Sequence, residues 1–312
     1  IQGREFSRLM RGDGHFTTTP STRAGIESIT RDDLVAFHQR YFHPGNFLFT
    51  ASGDIDTDAI LAELERRLDG WAASGDEVPP VPVPDFAPEP GLYLVNKPDV
   101  NQGRVAIGHL GIQRDNEDRY KILVMNDILG GGGFSARLLT RIRSDEGLAY
   151  SASSNYRGGT YYPGVFQAGF QSRSETVARA VAIVLEEIER IRTEPVTEEE
   201  LTNSINYFVE TFSRNFSSAG STAGIFAGDE YTDRDPSYLE AYRDNIAAVT
   251  ADDVLDVARR YLHPEQLVIL VVGDIETILA GDPDNPDYSL EALSSGEVVR
   301  IPLPDPFTME YP

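Results

Sequence analysis

A 28-residue segment that occurs twice limits what this chain can fold into more than anything else in it. Thr30 to Thr57 reads TRDDLVAFHQRYFHPGNFLFTASGDIDT, and Thr250 to Thr277 reads TADDVLDVARRYLHPEQLVILVVGDIET. Aligned without a gap, the copies share a Thr-x-Asp-Asp opening, an Arg-Tyr-x-His-Pro centre and a Gly-Asp-Ile ending. The copies start 220 positions apart, whereas solenoid units repeat every 20 to 50 residues or so, so the spacing implies two domain-sized copies of one fold. The second copy has its own domain ahead of it from about Gly91, while the first is preceded by only 29 residues. If the copies match in length, something on the order of 130 further residues is expected ahead of Ile1.

Each copy reads as helix, turn, strand, turn, helix. Thr30 with Asp33, and Thr250 with Asp253, form capping boxes with Asp in the usual Glu position. Leu34, Phe37 and Tyr41, and then Val254, Val257 and Tyr261, keep helical spacing, and His-Pro ends each helix because proline disfavours the α conformation before it. Strands are expected at Phe47 to Ser52 and Leu267 to Val272, the second apolar on both faces as in a buried central strand. Between the copies the sequence predicts strands at Leu92 to Asn96, Arg104 to Leu110, Ala149 to Tyr156 and Gly164 to Ser172. Helices are expected at Glu117 to Leu129, Ser135 to Ser144, Glu175 to Arg192 and Thr197 to Phe216, the last opening on a Thr197/Glu200 capping box. The boundaries that follow are a truncated first domain over 1–74, a Pro- and acid-rich linker over 75–90, a complete second domain over 91–280 and an acidic, Pro-rich tail over 281–312, wrapping the surface. The fold class is α+β, with tandem domains that each lay helices on one face of a mixed or antiparallel sheet.

Composition narrows the function classes. The net charge of -23 argues against a nucleic-acid partner, which needs clustered Lys and Arg. The longest clean apolar run, Leu267 to Val272, is far short of the about 20 residues that span a bilayer. With no cysteine in the chain, disulfides and thiolate chemistry are excluded. Lys97 and Lys121 are the only lysines among 27 basic residues. Such a surface suits solubility in high salt, and arginine-biased codon usage gives the same deficit.

No metal site is visible. His38 and His43 bracket a helix end without a Glu between them, His15 and His109 have no partner at ligand spacing, and the repeat-equivalent His43 and His263 read as turn or helix C-terminal contacts. The run Gly130 to Gly133 lacks the Lys and Ser/Thr of a phosphate loop and reads as a tight turn or a close backbone approach. Glu186, Glu187 and Glu198 to Glu200 read as solvated helix faces, and no Gly-x-Ser-x-Gly elbow is present. The sharpest local signal is LLTRIRSDEGLAYSASSNY, from Leu138 to Tyr156. There Arg143 ends a helix, Gly147 reverses the chain and Tyr150 begins a strand. A guanidinium and a phenol brought together can donate hydrogen bonds to a peptide carbonyl; a helix-end Arg and a half-buried strand Tyr are the alternative.

The stretch LGGGGFSARLLTRIRSDEGLAYSASS resembles the signature of the C-terminal half of the pitrilysin/insulinase-type, or M16, metallopeptidases, and the twin Tyr-x-His-Pro and Gly-Asp-Ile segments resemble that family's recurring pattern. The resemblance implies paired α+β domains closing around an unfolded peptide. An H-x-x-E-H zinc motif is implied in the first half and an Arg and Tyr seven residues apart in the second. Arg143 and Tyr150 match that spacing, and by similarity would bind the substrate carbonyl and the tetrahedral intermediate. The zinc motif is expected upstream of Ile1, so zinc is expected in the intact enzyme or a partner subunit, and none on this chain. The implied function is that of the C-terminal portion of a zinc endopeptidase. The alternatives are the non-catalytic subunit of a two-chain M16 peptidase, or a structural subunit resembling respiratory-complex core proteins. The expected partners are a peptide, the missing segment or a zinc-bearing subunit, in a homo- or heterodimer, and bacterial relatives lean toward the periplasm or cell envelope.

Overall fold

The computed structural model describes every residue except Ser74, Asp76, Glu77 and Ser295; Ser74, at the expected first boundary, and Asp76 and Glu77, in the expected linker, thus lie outside the described residues. Two compact units emerge, one comprising residues 1–20, 82–208 and 244–312, the other residues 21–81 and 209–243.

The first unit is built on a mixed sheet of six strands: β1 (Gly91–Asn96), β2 (Gln102–Leu110), β3 (Ala149–Arg157), β4 (Val165–Arg173), β5 (Val268–Gly273) and β6 (Glu297–Ile301), in the order β3-β4-β2-β5-β1-β6. Strand β5 is buried along its whole length, antiparallel to β2 and parallel to β1, which is why its sequence carries no polar face. The last strand comes from the tail: Glu297 to Ile301 pairs parallel with β1, so part of the segment expected to wrap the surface completes the sheet instead.

Helices cover both faces of this sheet. The helix α1 (Gln2–Arg11) buries Phe6 and Met10 against Tyr93, Val95, Ala106, Val268, Leu270 and Val272. On the other side α7 (Val177–Thr193) lies across β2 and β4, beside α5 (Arg119–Asn126), α11 (Ala251–Tyr261) and α12 (Ile275–Ala280). The chain is α+β, with a mixed sheet and packed helices as its sequence leads one to expect, but the helices lie on both faces of the sheet and not on one, because α1 brings Phe6 and Met10 onto the second face.

The second unit holds α2 (Arg23–Glu27), α3 (Arg31–Tyr41), α4 (Thr57–Leu68) and α9 (Ala219–Tyr231). Both repeat helices begin with the expected boxes: the Asp33 and Asp253 amides donate to Thr30 and Thr250 Oγ1 at 3.2 and 3.1 Å, and each aspartate accepts from its threonine in return. The strand expected at Phe47 to Ser52 does not form. Its backbone is extended at Phe47, but no strand pairs with it among the described residues, whereas its counterpart β5 lies between two partners.

Candidate functional site

The path from Asp127 to Tyr150 departs from regular helix twice. Wide π-helical turns occupy Asp127–Gly131 and Thr140–Asp145, with the short helix α6 (Arg137–Leu139) between them; such turns re-aim side chains and recur at functional sites. The first turn sits on β3, at the sheet edge. A Cβ on Gly130 would come within 2.5 Å of the Ser154 backbone nitrogen, so glycine is what lets helix and strand approach this closely. Asn126 Nδ2 donates to the Ser154 carbonyl at 3.4 Å, and Ser154 Oγ donates to Asn126 Oδ1 at 2.8 Å.

The second turn carries Arg143. Gly147, with φ of +63°, then reverses the chain into β3, a left-handed conformation that costs glycine little. At the start of β3 a β-bulge sets Tyr150 and Ser151 opposite the single residue Gln171 of β4, between the pairs Ala149/Ser172 and Ala152/Phe170. From Ala152 to Tyr156 buried and exposed residues alternate strictly, so an unbroken strand would turn Tyr150 into the core. The bulge resets the phase, leaving Tyr150 81% exposed.

Arg143 and Tyr150 are thereby brought together, with the guanidinium carbon 4.6 Å from the Tyr150 ring centroid. A third residue, overlooked in the sequence, completes the arrangement: Phe134, at the end of the glycine run and 80% exposed, lies 5.1 Å from the same guanidinium. Two exposed rings thus flank one cation, each contact worth about 0.5–1 kcal/mol at such a site. Among the described residues no hydrogen bond or ion pair occupies the Arg143 guanidinium or the Tyr150 hydroxyl. Their donors are available to a ligand. The sequence signal for Phe134 was an apolar residue directly after four glycines, where no core position is expected.

Arg137 holds this region in place. Its guanidinium donates to both carboxylate oxygens of Glu200, at 2.6 and 2.9 Å. Burial opposes the Glu200 charge, but the Arg137 hydrogen bonds, aided by the Thr197 amide, bring its carboxyl down to about 2. Glu200 also belongs to the capping box that opens α8 (Glu198–Thr211), so one ion pair ties the glycine-rich segment to a helix 63 positions later. Two acids expected on solvated faces therefore do structural work. Glu200 pairs with Arg137, and Glu187 is fully buried, where the Arg141 and Arg190 guanidinia compensate its charge; an unpaired carboxylate could not be kept there.

No group of three or more His, Asp or Glu side chains is placed to hold a metal among the described residues. His109 is committed at both ring nitrogens: Nδ1 donates to the Leu110 carbonyl at 2.7 Å and Nε2 accepts from the His263 amide at 3.2 Å. Burial lowers its pKa to about 4, so the ring is a neutral tether between β2 and the second His-Pro turn. His15 Nδ1 is engaged by Thr17. Among the described residues no histidine has beside it the further ligating side chains that a zinc centre needs.

The mixed six-stranded sheet with packed helices is an α+β domain that carries Arg143 and Tyr150 beside a glycine-rich turn. The chain belongs to the M16 peptidase family: the family model for the peptidase M16 inactive domain matches residues 28–208. Over 245 residues the chain is 25% identical to an uncharacterized zinc protease of Streptomyces coelicolor, covering 76% of this chain and 52% of that protein. It is 24% identical over 256 residues to an uncharacterized zinc protease of Bacillus subtilis, covering 80% and 59%. The chain thus spans about half the length of these curated relatives. The crystal structure of a peptidase M16 inactive domain from Pseudomonas fluorescens superposes with a TM-score of 0.75 at 24% identity, over 87% of this chain and 64% of that one. The periplasmic protease PqqL of Escherichia coli gives 0.70 at 18%, over 86% and 30%. At these identities the structural matches speak for the fold.

Proposed function

We propose that this chain is the substrate-holding portion of a zinc-dependent endopeptidase whose metal site is formed by residues outside it, in a preceding segment or a partner subunit. The observation that carries the reading is the pair formed by half-buried Arg143 and exposed Tyr150, whose donors no other group among the described residues engages. In a bound peptide, Arg143 N–H groups and the Tyr150 O–H donate to the carbonyl oxygen of the bond to be cut. As that carbon becomes tetrahedral its oxygen gains negative charge, and donors already in position stabilise the transition state more than the ground state. Phe134 and the Tyr150 ring flank the guanidinium. Several large apolar residues of the first repeat face solvent, Phe37, Phe42 and Phe49 among them, and exposed apolar side chains in such number suit an interaction surface.

In the intact protein, Arg143→Ala or Tyr150→Phe is expected to lower kcat/KM by about 10- to 1000-fold, the scale of one lost oxyanion donor. This chain alone is expected to cleave no peptide and to gain cleavage when the zinc-bearing portion is added. Wild-type kinetics in both variants would falsify the carbonyl-binding role. A preceding segment and a neighbouring subunit are told apart by which of the two carries H-x-x-E-H.

A further inference from the structure

A cavity of about 330 Å³ opens beside the glycine-rich turn, bounded by Asp127, Gly132, Ser135, Glu199, Asn203 and Ser204. Asp127 is only 8% exposed, and burial pushes its carboxyl up. Ser204, just 3% exposed, stands near enough to favour the Asp127 charge, yet its Oγ closes no hydrogen bond of normal geometry. Among the described residues no ion pair engages Asp127. The neighbouring Glu200 is already taken by Arg137. The cavity therefore presents a buried acceptor and a buried unpartnered hydroxyl under net negative charge, a combination that costs free energy until a donor arrives. A metal ion does not suit it, because no three ligating side chains converge there. An ammonium or guanidinium does, since it brings three to five N–H donors, about as many as Asp127, Ser204 and Asn203 can accept.

Position gives this cavity a meaning. Gly132 and Ser135 line it, while Phe134, between them, lies against Arg143. With successive Cα atoms about 3.8 Å apart, the cavity and the Arg143/Tyr150 pair flank one turn. A peptide held at Arg143 in extended form advances about 3.3 Å per residue, so a side chain a few positions along reaches the opening. We infer that this cavity is a specificity subsite that takes the guanidinium or ammonium group of a basic residue in the bound peptide. It rests on the proposed function in one respect, that Arg143 and Tyr150 hold the same peptide's carbonyl.

The test uses this chain and short, otherwise neutral peptides that differ only by Arg or citrulline at one position, moved along the sequence. Binding read by fluorescence anisotropy is expected to favour Arg over citrulline about 10-fold at one position, the scale of a charge-assisted hydrogen bond. Asp127→Asn should remove that preference. So should Asn203→Lys, an exposed change that sets a like charge at the opening without touching the core. Arg143→Ala should weaken both peptides alike and keep their ratio. A preference that survives both cavity variants, or no preference at any position, overturns the subsite. Arg143→Ala that leaves both peptides unaffected, with the preference still dependent on Asp127, overturns the carbonyl-holding role alone. Should no peptide bind, agmatine is titrated against the amide resonances of Asp127 and Ser204: shifts lost in Asp127→Asn support the subsite, and unmoved resonances overturn it.

Discussion

The two repeats share a local sequence and diverge in burial. In the second, Val254 and Leu262 are fully buried and Ile269 is 3% exposed; their counterparts Leu34, Phe42 and Phe49 are 61%, 48% and 58% exposed. Helix, His-Pro turn and second helix form in both copies. What differs is the company each keeps. The second copy finds β1 and β2 on either side of β5, and α5 and α7 against α11; the first finds no strand at all among the described residues. Burying one Val, Leu or Ile side chain contributes about 1.5–3 kcal/mol, and only the second copy collects it. Capping and turn chemistry set where a helix begins and ends from residues within one turn, while a strand waits for its neighbour.

The widest gap between the copies is therefore expected in core truncations. Leu262→Ala should destabilise the chain by about 2–5 kcal/mol, the range for a fully buried leucine. Its repeat equivalent, Phe42→Ala, should cost under about 1 kcal/mol here, because an exposed side chain leaves little cavity behind. Urea denaturation of both variants measures this. Equal losses would mean that the first copy is already packed in this chain. In a longer protein that brings the covering strands, Phe42→Ala should move toward the cost of Leu262→Ala.

A smaller difference lies in how the His-Pro turns are held. The second is tied to β2 through His109, which burial keeps neutral with a pKa of about 4 against an ordinary 6.5. Because the unfolded chain binds this proton more readily, the folded state has the whole benefit above pH 6.5 and loses it as pH falls from 6.5 toward 4. The loss of Glu200, held at about 2, belongs to a lower window, from its ordinary value near 4.5 downward. Melting temperature should accordingly drop between pH 6.5 and 4, and His109→Gln should flatten that slope. An imidazole found by NMR to titrate near 6.5 contradicts the tether.

How much of this was legible in the sequence depends on range. The capping boxes at Thr30, Thr197 and Thr250 could be read directly because their chemistry closes within four residues, and β5 announced itself through an apolar run. Arg143 and Tyr150 were found as a spaced pair. The exposure of Tyr150 was not legible, because the bulge that turns it outward is a property of its pairing with Gln171 on β4. The burial of Glu187 and the Arg137–Glu200 ion pair escaped for the same reason: each acid looks solvated until a distant arginine is placed against it. Phe47 to Ser52 shows the converse: a good strand sequence forms no strand, because ladder partners, and not propensity, decide.

The finest test of the comparison is one in which the copies should agree. Thr30→Ala and Thr250→Ala each remove a side-chain oxygen that caps the third amide of its helix, at 3.2 and 3.1 Å. Loss of such a cap costs about 1 kcal/mol, and the cost arises within one turn, so it should not depend on what packs against the far side. Amide hydrogen exchange in the first turn of α3 and α11 should quicken by a similar factor in each variant. A cost confined to Thr250 would show that the first helix has no stability of its own to lose, and that even its local structure is borrowed from the fold around it.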